Sequence, residues 1–205
     1  MVVIRCVLAV LFVIFSMPSM ANNCIAYKKI PAIYINTPDW TKKIIQPRKP
    51  MDKLHGNVVA TLIDNYQINV NVNSVDDGFC IVLNSVDAVV GYSDFIVSID
   101  SQHKPGTCTY KAVLSHEELH IKTYLSVIDD FKADLLNSIY NAAQSVMPRL
   151  VKSYNDIDSV IIQMHNELQN HPEVVLVKQK IHAAQEIRNK QIDSDENNKD
   201  IKKCE

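Results

Sequence analysis

Tyr66-Gln67-Ile68-Asn69-Val70-Asn71-Val72 alternates apolar and polar side chains residue by residue. Successive side chains of a β-strand point to opposite faces, so this two-residue period predicts a strand with one face on a core and the other in water. Asp76-Asp77-Gly78 follows as a turn signal, and Phe79 to Val86 reads as the returning partner. Phe95, Val97 and Ile99 alternate again after Gly91. Together these segments predict a small antiparallel sheet.

Toward the C-terminus the period changes after Pro105-Gly106. Val113, His120, Tyr124, Val127, Phe131, Leu135, Ile139 and Val146 recur at steps that keep them on one helix face, up to Pro148. Leu150, Tyr154, Ile157, Ile161, Met164 and Leu168 step by four and three, close to a heptad seam, and Asn170-His171-Pro172 ends the run. A third helix is predicted through Val174, Val177, Ile181, Ala184 and Ile187. The expected fold class is therefore α+β: a small antiparallel sheet, then one long helix, then a helical hairpin. This domain spans 58–192. Residues 193–205 are charged and poor in apolar side chains, and read as a mobile tail unless Cys204 pins it.

Toward the N-terminus, residues 22–57 read as an irregular lead-in. Ile30 to Ile35 offers a short strand, Thr37-Pro38-Asp39 a turn, and Lys42 to Pro50 an exposed loop. Trp40, the only tryptophan, is expected to plug the edge of the core. Residues 1–21 have the layout of an export signal: Arg5, then the apolar stretch Cys6 to Phe15, then Ser19-Met20-Ala21 at the cleavage site. An apolar core of about ten residues is short for a membrane span. The mature chain is thus expected to start near Asn22, to be periplasmic or secreted, and to have no stable membrane insertion after cleavage.

A length of 205 residues suits one domain with a real core, and 47% hydrophobic with 21% charged residues is ordinary for a globular protein. The net charge of -2 gives no case for nucleic acid as a partner. Removing Cys6 with the signal leaves Cys24, Cys80, Cys108 and Cys204, an even number that suits disulfides in an oxidising compartment. Three pairings are possible. The favoured one joins Cys80 to Cys108 and Cys24 to Cys204. A structural zinc site is disfavoured, because no close Cys-x-x-Cys pair exists.

Chemistry concentrates in Ser115-His116-Glu117-Glu118-Leu119-His120. On a helix, residues i and i+4 share a face, so His116 and His120 can aim two imidazoles at one metal ion. Glu117 is offset around the helix and can address a metal-bound water instead of the metal. Zinc lowers the pKa of such a water to about 7, and a carboxylate can take its proton as it attacks a carbonyl. Three fixed positions match by chance in about one chain in a hundred. The bland alternative is two histidines that merely cover a helix face.

The motif resembles that of the zincin metallopeptidases, in which a sheet precedes the helix that bears the two histidines. Phe95-Ile96-Val97-Ser98-Ile99, then Cys108, then Leu114 to His120 is similar to exported bacterial proteins described as zinc-dependent proteases. The likeness covers about residues 58–147, and its one specific element is the five-residue motif. The resemblance implies Zn2+ as cofactor, His116 and His120 as its ligands, Glu117 as general base, and a peptide or protein substrate.

A metzincin would continue with glycine and a third histidine where this chain has Thr123 and Ser126. Asp129 and Asp130 lie too far along a straight helix, about 15 Å from His120 for Asp130. The third ligand must come from elsewhere. His171 and Glu173, at the bend after the second helix, are the nearest candidates, with Asp94, Asp100 and His103 behind them. Tyr124 shares the face of His120 and could donate to an oxyanion, while Glu118 is a possible partner of the ligands. The competing reading is a non-catalytic exported helical binding or scaffold protein, with or without zinc, favoured by the heptad-like run.

Overall fold

A computed structural model describes residues 22–51, 55–194 and 199–204. The export-signal reading of residues 1–21 lies outside the described residues. The elements in chain order are α1 (Asn22–Ile25), β1 (Ala32–Asn36), β2 (Thr41–Ile45), β3 (Gly56–Val75), β4 (Gly78–Ile99), α2 (Cys108–Ser145), β5 (Arg149–Val151), α3 (Ile157–Gln169), α4 (Pro172–Ile192) and α5 (Lys199–Cys204).

The sheet is mixed, and this corrects the antiparallel expectation. β4 is central. β3 pairs antiparallel with it along its whole length, while β1 and β2 pair parallel to it on the other edge, at Ser85–Val89 and Asp94–Ser98. β5 adds a short antiparallel segment at Phe79–Ile81. Alternation reports which residues are half-buried and carries no direction, so it could not show that the lead-in supplies two parallel strands. Nor is the sheet small. The expected strands fuse into a 20-residue and a 22-residue strand around the Asp76-Asp77 turn. The pairing skips Ser93 and Asn84, two β-bulges that accommodate the two extra residues of β4. Gly91 lies inside β4 with φ 153°, where a Cβ would meet Pro38 Cδ at 2.8 Å. That approach lets the chain cross between the collinear β1 and β2.

α2 runs for 38 residues, about 57 Å at 1.5 Å each. Thr107 caps it by accepting the Tyr110 N–H at 3.3 Å, and it ends just before Met147 and Pro148. Its inner face (Val113, Val127, Leu135, Ile139) packs on Val86, Val90, Phe95 and Val97 of β4, with Met164, Leu168, Val174 and Ile181 closing the core from α3 and α4. Each such side chain contributes roughly 1.5–3 kcal/mol by leaving water. The heptad-like run does not form one helix: Leu150 lies in β5, Tyr154 is exposed, and α3 starts at Ile157. The observation that favoured a helical scaffold is thereby shortened to four positions.

The disulfides are Cys24–Cys80 and Cys108–Cys204, not the pairing expected. The reason is the length of β4: about 60 Å of strand separates Cys80 from Ile99, at whose end α2 and Cys108 begin. Each cysteine of β4 and α2 therefore meets a terminal segment. Cys108–Cys204 holds α5 in place, and the buried Ile201 docks it on the core. No helix among the described residues is long and apolar enough to cross a membrane.

Candidate metal centre

His116, Glu117 and His120 are buried on the inner face of α2, at 8%, 5% and 8% exposure. Helical spacing brings the two imidazoles together with ring centroids 5.1 Å apart. Asp193, the first residue after α4, completes the group: its Oδ1 lies 3.3 Å from His116 Nε2 and 3.0 Å from His120 Nε2. One ligand atom from each of the three residues falls within 4.8 Å of the others.

The hydrogen bonding of His120 bears on what this group can hold. Its Nδ1 lies 3.0 Å from Asn189 Oδ1, an acceptor, so Nδ1 carries a proton, and in a neutral ring the Nε2 lone pair then faces Asp193. A neutral ring in that tautomer presents an acceptor to a carboxylate oxygen, also an acceptor, so a cation between them fits the donor set. Tetrahedral zinc, with bonds of 2.0–2.1 Å, sets its ligand atoms about 3.3 Å apart. The two Asp193 distances lie close to that edge. Burial lowers the pKa of His116, against the pull of Asp193, and so favours the neutral imidazole that a metal requires. His116 Nδ1 is buried without a hydrogen-bond partner among the described residues, so only His120 has an orienting neighbour.

Glu117 lines a cavity of about 350 Å³ with Gly56, Asn57 and Val58 of β3, His120, Tyr124, Asn189 and Asp193. Burial pushes its carboxyl up to about 7; His120 opposes that rise and Asp193 adds to it. A glycine at 56 is needed for this placement, since a Cβ there would stand 2.5 Å from Glu117 Oε1 and 2.7 Å from Val113 Cγ1.

The third-ligand candidates read from sequence lie elsewhere. His171 and Glu173 sit at the opposite end of α4, and Glu173 accepts from Asn141 Nδ2 at 2.8 Å. The 21 residues of α4 put that end about 31 Å from Asp193. Asp94 accepts from Thr41 and Ser93 (both 2.8 Å), and Asp100 accepts the backbone N–H groups of Met51 and Gln102. His103 pairs with His55 at 3.1 Å. Glu118 faces outward and is ion-paired with Lys42. Trp40 sits edge-on to Phe95 but is 47% exposed, so it covers the core edge only in part.

Asp193 was missed because α3 is too short to make the return. From His120 to Ser145 is 25 residues, about 37 Å, whereas the 13 residues of α3 span about 20 Å. Only α4 runs back far enough, so its C-terminal end is the one that reaches the histidines. Compared with protein-family models, curated proteins and solved structures, the chain matches none.

Proposed function

We propose that this is an exported zinc hydrolase that cleaves peptide bonds, with His116, His120 and Asp193 as metal ligands and Glu117 as general base. The observation that carries the reading is the convergence of Asp193 Oδ1 with both imidazole Nε2 atoms beside a buried glutamate. Bound zinc would polarise the scissile carbonyl and acidify the attacking water. Glu117, with its proton affinity raised by burial, would take the proton from the attacking water and pass it to the leaving nitrogen. Asn189 fixes the ring of His120, and Tyr124 lines the cavity wall, where its hydroxyl would donate to the developing oxyanion. Two disulfides agree with an oxidising compartment, periplasmic or extracellular.

The test is turnover of a broad peptide library by the zinc-loaded mature chain and its Glu117→Gln variant. The reading expects cleavage by the wild type and a loss of at least about 100-fold in the variant, the scale of general-base catalysis, with zinc retained in both. Zinc retained by a wild type that cleaves nothing would leave a metal-binding module instead of an enzyme.

A further inference from the structure

A second cavity, about 500 Å³, continues from the first and shares Tyr124, Asn189 and Asp193 with it. Moving away from the metal centre, its wall passes along β3 from Gly56 to Leu62, about 20 Å of strand, and along α4 from Asp193 back to Lys178. The result is a trough long enough for some six residues of extended chain, far more than a small amide would need.

The lining at the far end has an apolar floor, with Lys178, His182, Gln185 and Glu186 of α4 beside it. Ala60 and Leu62 come from β3, Tyr92 from β4 and Ile181 from α4. Leu62 is 50% exposed, a large aliphatic side chain facing this space. Tyr92 is buried, and Gln185 donates to its hydroxyl, so its ring presents a fixed wall. The two lysines on the rim are already paired, Lys178 with Asp64 at 2.6 Å and Lys190 with Glu186 at 2.6 Å, and His182 stands between them on α4. With those charges balanced, the rim offers little net attraction to a charged side chain, while the floor offers apolar area to an uncharged one.

We propose that the substrate is an extended polypeptide segment that places a bulky apolar side chain against Leu62, Ile181 and Tyr92, and that Leu62 determines this preference. The inference rests on the zinc-hydrolase reading. Its test is binding, without turnover, to the zinc-loaded mature chain. The probes are acetohydroxamate, which chelates the metal but has no side chain, and peptidyl hydroxamates carrying Phe, Leu, Gly, Asp or Lys at successive positions, measured by titration calorimetry. At one position Phe and Leu should bind about 10-fold or more tighter than Gly, Asp and Lys, the usual worth of an apolar pocket. Leu62→Lys should abolish that preference and leave acetohydroxamate affinity unchanged. Acetohydroxamate binding with no side-chain preference, or a preference intact in Leu62→Lys, overturns the inference alone. No acetohydroxamate binding removes the metal reading and this inference with it.

Discussion

Gly56 and Glu117 share a space that cannot take another carbon atom. The contact of 2.5 Å that a Cβ would make with Glu117 Oε1 requires the carboxylate or β3 to move. Gly56→Ala is therefore expected to lower stability by about 1–3 kcal/mol, the usual cost of overpacking. It should also reduce turnover more than zinc affinity, because the base is displaced and the ligands are not. Thermal melts, bound zinc and peptide cleavage measured on one preparation check this. Glu117 itself gives a pH signature in the metal-free protein. Its folded carboxyl titrates at about 7 because it is buried, against an ordinary value of 4.5. Below pH 4.5 both folded and unfolded chains hold the proton and no penalty exists. Between 4.5 and 7 the unfolded chain releases it first, so stability falls as pH rises, by a total on the order of 3 kcal/mol. Glu117→Gln should remove that slope: its stability relative to wild type should be greater at pH 8 than at pH 4. Denaturant titrations with an equal difference at both pH values would contradict the buried placement.

Individual elements were legible to different degrees. The helix through Val113–Val146 and its stop before Pro148 could be read because a 3.6-residue period and a proline are local signals. Strand existence was legible for β3 and β4, whereas the direction of their neighbours was not, because pairing is decided by segments far apart in sequence. The edge of β3 away from β4, unpaired among the described residues, shows the same dependence on distant residues: α3 covers it midway, where His165 Nε2 donates to the Tyr66 carbonyl at 2.8 Å. A strand edge blocked in this way is a poorer template for aggregation. α5 depends on Cys108–Cys204, a link across 96 residues. Replacing both cysteines by serine should cost roughly 4–5 kcal/mol by the loop-entropy relation. Zinc stoichiometry should be unchanged, since Asp193 is set by the end of α4. Urea unfolding and metal analysis of the double variant test the two halves of that statement.

At the scale of the whole molecule, the candidate site joins residues that no local pattern connects. His116, Glu117 and His120 were legible because one helical turn suffices to group them. Asp193 was not, because its position depends on the summed lengths of α2, α3 and α4, and a lone aspartate at the start of a charged segment carries no signal of its own. The fold sets a 38-residue helix against a long sheet and returns α4 along it, so that its last turn lies beside the histidines. The account's central claim is that these three residues hold one zinc ion. The direct measurement is calorimetric titration of zinc into the metal-stripped mature chain, compared with Asp193→Ala and, as a control at the far end of α4, Glu173→Ala. One equivalent should bind to the wild type and to Glu173→Ala, with affinity lower by a factor of about 10–100 or more in Asp193→Ala, since loss of a ligand should cost at least as much as loss of a ligand's supporting partner. Equal affinity in wild type and Asp193→Ala, or no zinc bound by the wild type, would contradict it.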